Sequence, residues 1–361
     1  MDKKKVLNII YSGTGGHGSV WYALMNGGGL TYWENYAVFY GIEDVLPEYI
    51  TFCRDNNITY LVLKKKHFLD FKNWFFFFQF VRKNNIAFLL LHQHSIYFAA
   101  LLIRILGLSK KMIYVEHTPH EILRKVDHFF IPKMFEISDH VVFLNESILK
   151  YYESEQPKWA YKMHIIPNGI NHEIYQLNYK SYKREGFRIG MISRMTIQKD
   201  FETLIRAYKK LCKNGSPIHL LIGGDGPEKN DIMQCIEEED MQMKVEYLGL
   251  LNQKEAIKFY QSLDIFILST KSEGMPMVIL EAMACGIPVI ASNVNGCNFI
   301  IQDNINGLLF ERGNIEELGS KILMLQNDEN LRKRIAEAGY RTATQTFTME
   351  NMFNNYNNLL V

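Results

Sequence analysis

Two carboxylates, Glu273 and Glu281, stand eight positions apart in the stretch 269–292, which reads S-T-K-S-E-G-M-P-M-V-I-L-E-A-M-A-C-G-I-P-V-I-A-S. Eight helical residues would span about 12 Å, whereas two carboxylates acting on one glycosidic bond stand about 5–9.5 Å apart. This pair suits opposite ends of one long ligand. Between the acids, the turn Gly274, Met275, Pro276, Met277 and Val278 presents backbone and the positive end of a helix dipole, which together make an anion site. A ligand with phosphate in its middle and hydroxyls at both ends matches that pattern, and a nucleotide-sugar has that form. A second charged group lies upstream, where a strand ending at 193 is followed by Arg194 and then by Lys199 as a helix begins. Two cations presented together suit a diphosphate; their bland reading is a solvated surface.

The elements needed to position these groups are legible nearby. Apolar runs at 265–268 and 287–291 read as buried strands, with a helix between them. Pro276 fits its first turn and Gly286 its left-handed stop. A glycine-capped amphipathic helix would explain the apolar positions, but not both acids and the S-E-G-M-P turn. Upstream, 6–11 reads as a first parallel strand feeding S-G-T-G-G-H-G, a G-x-G-x-x-G match at Gly13, Gly15 and Gly18. Such a turn lets backbone approach a pyrophosphate, and with a ribose-binding acid it would read as an NAD site. Glu34 falls before the second strand, 36–40, and Glu43 lies rather far along, so an NAD-dependent oxidoreductase stays open on this turn alone. Further strands at 59–63, 86–92, 112–117 and 140–144 alternate with helices at 45–55, 67–83, 97–106 and 121–135, as in a parallel sheet covered on both faces. The strand ends bring His92, Gln93, His94, Glu116, His117 and Asn145 to the ligand-binding edge.

The string around Glu273 and Glu281 resembles the donor-site motif of the retaining glycosyltransferases of family 4, which have the two-domain GT-B fold. Other segments are similar to that family too: I-P-N-G-I-N at 166–171, the Arg194 and Lys199 spacing, the G-x-G-P turn carrying Gly224 and Gly226, and N-G-L-L at 306–309. Ser193, Asp200 and Asn295 stand where the family pattern has glycine. The resemblance is dense from 165 to 310 and thin before it. It implies an α/β protein of two Rossmann-like doubly wound parallel-sheet domains facing across a cleft. Residues 1–175 would bind the acceptor and 187–345 the nucleotide-sugar, and a final helix, 346–361, would pack back on the first domain. The polar stretch 175–186 reads as the linker.

By the same resemblance, Arg194 and Lys199 would stabilise the leaving diphosphate together with backbone at Gly15, Gly16 and 275–277. Glu273 would bind sugar hydroxyls, Glu281 the ribose, and His117 would lie near the donor sugar. It further implies retention of anomeric configuration, no cofactor, and no metal; the chain contains no D-x-D. The expected partners are a nucleotide-sugar donor, with UDP favoured over GDP, and a glycan or lipid-linked acceptor, with no nucleic acid. The rival to catalysis is a non-catalytic two-domain ligand sensor, which leaves the acids and cations without work.

Composition fits two ordinary domains in 361 residues, with 47% hydrophobic residues. The cysteines number 5 and show no C-x-x-C spacing, which argues against a disulfide framework or zinc site and suits a reducing cytoplasm. Met1 to Ile10 does not read as a signal peptide, and the apolar tracts at 74–81 and 98–108 fall short of the ~18 residues a membrane span needs. Net charge is +1, but residues 1–170 hold 19 of the 40 Lys and Arg against 15 of the 39 Asp and Glu. Basic clusters there lie near Phe68, Phe71 and 74–80, a composition that suits either a core helix with solvated lysines or contact with an anionic membrane face.

Overall fold

The computed structural model describes residues 3–13, 16–66, 70–175, 186–213, 215 and 217–361. The linker residues 176–185, together with Gly15, His67 and Phe68, lie outside the described residues. Two compact units divide the chain: Met1–Gly169 with Met349–Val361, and Ile170–Thr348. The second unit thus begins at Ile170, rather than at the 187 read from the sequence, and ends at Thr348, rather than at 345.

The first unit carries seven parallel strands in the order β3-β2-β1-β4-β5-β6-β7. In chain order they are β1 Lys4–Ile10, β2 Trp33–Gly41, β3 Thr59–Lys64, β4 Phe88–Leu91, β5 Lys111–Glu116, β6 His140–Phe143 and β7 Met163–Ile165. Strands β1, β2, β4 and β5 are almost wholly buried along their length, because helices on both faces of a parallel sheet leave neither face to water. β2 starts three residues before the expected 36, so Glu34 lies inside it, at the end remote from the glycine turn. There Glu34 accepts a hydrogen bond from the Tyr36 hydroxyl at 2.5 Å and pairs with Lys5 at 3.4 Å.

The last helix, Met349–Leu359, belongs to this unit. It is received by Gly27 and Gly28: a Cβ would lie 2.3 Å from the Met349 carbonyl at the first and 2.4 Å from the Phe353 ring at the second. Trp33 Nε1 donates to Asn357 Oδ1 at 3.0 Å and the Tyr32 and Phe353 rings stack at 5.6 Å.

The second unit carries six parallel strands in the order β10-β9-β8-β11-β12-β13. They run β8 Phe187–Ile192, β9 Ile218–Gly223, β10 Val245–Gly249, β11 Ile265–Leu268, β12 Val289–Ser292 and β13 Leu308–Phe310. In each sheet the strand order reverses once in direction, between β1 and β4 and between β8 and β11. Ligands of such sheets bind beyond the carboxyl ends at that reversal.

Candidate functional site

In the second unit, the residues singled out by sequence gather at the β8/β11 reversal. Ser193 N donates to Gly223 O at 3.2 Å and Met195 N to Asp225 O at 2.9 Å, so the turn after β9 lies flat on the segment after β8. That approach requires its glycines. Gly224 has φ +126°, and a Cβ there would stand 1.9 Å from the Ser193 carbonyl; at Gly226 it would stand 2.3 Å from that of Met195. The two glycines therefore clamp both neighbours of Arg194, which is itself half-buried.

Lys199 is placed by a second set of backbone contacts. Lys271 N donates to Gln198 O at 2.7 Å and Asp200 N to Ser269 O at 3.0 Å, with Lys199 bridged to Thr270 between them. Asp200, in the position where glycine was expected, caps the helix Phe201–Lys213: its carboxylate accepts from the Thr203 hydroxyl at 2.7 Å and the Thr203 amide at 3.4 Å. This loop pairing brings the Lys199 ammonium onto Glu273 Oε1 as an ion pair, with side chains 16% and 11% exposed. Sequence spacing assigned these two side chains separate duties, and the fold makes them partners. Behind Glu273 stands Gly296, where a Cβ would lie 2.5 Å from the Glu273 carbonyl. Nothing in the local sequence pattern shows that Gly296 backs the acid.

The helix after Glu273 runs Met277–Ala284, with Pro276 preceding its first residue rather than filling its first turn. Gly286 takes φ +72°, the left-handed stop expected of it. Gly274, Met275 and Met277 are buried and Val278 is half-buried. The first amides of a helix have no acceptor within it; here Ile279 N donates back to Pro276 O at 3.2 Å. Glu281 is buried on this helix and its Oε2 accepts from the Tyr260 hydroxyl at 2.7 Å. Burial and then the Glu281 charge push the Tyr260 phenol far above its ordinary value, so it stays a donor. Tyr175 is raised by the same two causes and its hydroxyl is also engaged with Glu281. Beside them the Cys285 thiol is pushed up to about 12 by burial and by Glu281. The sequence carried no signal for Tyr175 or Tyr260, since a tyrosine in a polar helix or a turn has many uses.

The remaining candidates belong to the first unit. Gly16 opens the helix Gly16–Leu24. Gly18 is required by packing, since a Cβ there would lie 2.0 Å from the hydroxyl of the buried Tyr49; at Gly13 a Cβ would lie 1.8 Å from the Glu43 carboxylate, the end of a side chain able to move aside. His117, after β5, meets His92, after β4, at 2.9 Å between ring nitrogens, a contact in which one ring donates and the other accepts. Three of the strand-end residues turn out to hold the scaffold. Gln93 donates to Tyr40 O at 2.9 Å, and Asn145 caps the helix Glu146–Glu155 through Ile148 N at 2.9 Å. Glu116 is buried, accepting from Thr118 N at 2.7 Å and from the Tyr114 hydroxyl. Burial raises its carboxyl above the ordinary range despite both hydrogen bonds. His94 contacts Asp127 at 3.1 Å, and Asp127 also accepts from the Arg124 amide at 2.8 Å.

Residues 180–342 match the family described as Glycosyl transferases group 1. An uncharacterized glycosyltransferase of Methanocaldococcus jannaschii is 34% identical over 176 residues, 48% of this chain and 47% of its own. The capsular polysaccharide biosynthesis glycosyltransferase CapM of Staphylococcus aureus is 28% identical over 206 residues, 52% of this chain and 53% of its own. The chain thus spans about half the length of these curated relatives. HepE of Anabaena, solved in complex with UDP and glucose, superposes with a TM-score of 0.85 at 18% identity, covering 99% of each chain. The architecture of two parallel-sheet, Rossmann-like units is that of the GT-B fold.

Proposed function

We propose, from the premise that residues 180–342 belong to the glycosyl transferases group 1 family, that the protein transfers a sugar from a nucleotide-sugar to a hydroxyl. The acceptor is a glycan or lipid-linked saccharide of bacterial surface polysaccharide biosynthesis, and anomeric configuration is retained. The observation that carries this reading is the meeting of Lys199 with Glu273 at the β8/β11 reversal, beside the first turn of helix Met277–Ala284. As the bond to the diphosphate breaks, negative charge grows on the leaving phosphate and positive charge on the sugar ring. Arg194, Lys199 and the first-turn amides stabilise the phosphate without reorganising. Glu273, oriented by Lys199, accepts from sugar hydroxyls, and Glu281, anchored by Tyr260, accepts from the ribose diol. No further carboxylate in the motif is spaced to attack the sugar, so the acceptor enters on the face the diphosphate leaves, and that phosphate takes its proton. Cationic side chains do the electrostatic work here, which makes the reaction metal-independent.

UDP is the favoured nucleotide because HepE, of like fold, was solved with UDP and glucose. The role in polysaccharide synthesis is supported by the relationship to CapM. A lipid-linked acceptor places the work at the anionic inner face of the cell membrane.

The test is thermal unfolding with UDP, GDP, ADP or NAD, each in EDTA, followed by release of UDP from UDP-hexoses with and without chelator. UDP at 100 times its dissociation constant should add ~2.7 kcal/mol of stability, and turnover should survive EDTA. Stabilisation by NAD alone would overturn the reading, and turnover lost in EDTA and restored by Mn²⁺ or Mg²⁺ would overturn its metal-independence.

A further inference from the structure

We propose that helices Phe71–Lys83 and Tyr97–Ile105 of the first unit form a docking surface for an anionic lipid bilayer. Each helix satisfies the core with one face: Trp74, Phe77 and Val81 on the first, Ala99, Ala100 and Ile103 on the second are buried. The outward face of such a helix is ordinarily polar. Here it carries large apolar side chains. Phe71 is 69% exposed and Ile105 71%, and Phe75, Phe98 and Leu102 are exposed with them.

The exposed rings Phe71, Phe98 and Phe129 are tied together from beneath by the buried rings of Trp74 and Phe130. Ring centroids follow one another from Phe71 to Trp74 at 5.1 Å, Trp74 to Phe98 at 5.1 Å, Phe98 to Phe130 at 5.8 Å and Phe130 to the exposed Phe129 at 5.0 Å. The chain of rings reaches a third helix, Lys125–Ile137, which adds the exposed Phe129 to this side of the unit. No helix of the described residues is long and apolar enough to cross a membrane. Helices of 13 and 9 residues suit lying in the interface with aromatic side chains at headgroup depth.

Charge selects the occupant. The two helices carry Lys72, Arg82, Lys83 and Arg104 and not one Asp or Glu. The carboxylate facing Arg104 is Asp139, which binds it through two hydrogen bonds of 3.0 and 2.8 Å, and Lys133 on the third helix is paired with Glu136 at 3.0 Å. A second copy of this chain would have to lay the same cation-bearing face on itself, since a two-fold interface repeats one patch. An anionic membrane surface instead attracts each Lys or Arg, by roughly fivefold in partitioning. This surface deepens the lipid-linked acceptor reading, but vesicle binding is measured without donor or acceptor. Loss of binding and loss of transfer are therefore separate results.

The experiment is co-sedimentation of the full chain with phosphatidylcholine vesicles, with and without phosphatidylglycerol, at low and high salt. The protein should bind only the phosphatidylglycerol vesicles, less so at high salt. Phe75→Ser with Ile105→Ser should weaken binding roughly tenfold or more, and Lys72→Gln with Arg82→Gln and Lys83→Gln by roughly fivefold per charge, removing most of the salt dependence. All five side chains are exposed, so melting temperatures should match the parent; if the apolar variant unfolds, the charge variant decides. Absence of binding to phosphatidylglycerol vesicles, binding unchanged in the variants, or a concentration-dependent dimer abolished by the apolar variant would overturn the proposal.

Discussion

At the scale of single residues, the ion pair between Lys199 and Glu273 sets what the second unit can do. With both side chains mostly shielded, the lysine has less water to answer its charge and more effect on a phosphate brought beside it. Lys199→Ala should lower turnover by roughly 10² to 10³, the cost of deleting one donor to a developing oxyanion, with a smaller effect on KM for the donor. Steady-state kinetics check this, and near-normal turnover would remove Lys199 from the mechanism. Both partners were legible in the sequence as motif residues. Their mutual contact was not, because it depends on a bridge between Lys199 and Thr270 that forms only once β8 and β11 are neighbours. The Tyr260 hydroxyl on Glu281 was hidden for the same reason: local pattern says nothing about which distant acid a tyrosine meets.

At the scale of elements, turns and caps decide where the charged groups stand. Asp200→Ala should lower stability by about 1 kcal/mol and Asp200→Gly by only a few tenths, the usual contrast at a helix start, as read by urea unfolding. Equal losses would mean that the carboxylate does not cap Phe201–Lys213. The helix between Glu273 and Glu281 was readable because Gly286 and the flanking apolar runs obey ordinary rules. The expected helix at 121–135 was not readable in its start. It divides into a 3-10 turn at His120–Ile122 and an α-helix at Lys125–Ile137. That helix is preceded by Arg124, whose amide and side chain are both held by Asp127. Arginine is no ordinary start signal, and Pro132 inside the helix argues for a break that the structure does not make. The glycines at 224 and 226 were legible as a turn, but their service to Arg194 lies in a close approach to another strand's end.

At the scale of the whole molecule, alternation of apolar runs was enough to expect the parallel sheet of the first unit, since central strands buried on both faces leave a signature that surface loops cannot erase; the pair of sheets was expected from the family resemblance. The electrostatic balance of the first sheet's ends is a property of the fold alone. His140 and His164 meet at 3.0 Å across β6 and β7, and burial lowers both imidazoles, His140 also feeling the neighbouring ring. His94 is likewise lowered by burial, only partly offset by Asp127. The unfolded chain takes up these protons near pH 6.5 and the folded chain only at lower pH. The unfolded state therefore binds more protons as pH falls, and stability present above about pH 6.5 is progressively lost below it. Melting temperatures should decline from pH 7.5 toward about 5.5, with a shallower slope in His140→Gln with His164→Gln; an unchanged slope would absolve this pair. The return of Met349–Leu359 to the first unit has a further consequence, for synthesis. Gly27, Gly28 and Trp33 are made early, yet the helix that covers them is made only after the whole second unit, Ile170–Thr348. At the usual pace of translation, the interval from Trp33 to Met349 is roughly 15–65 s. The unit that leaves the ribosome first is thus the one completed last.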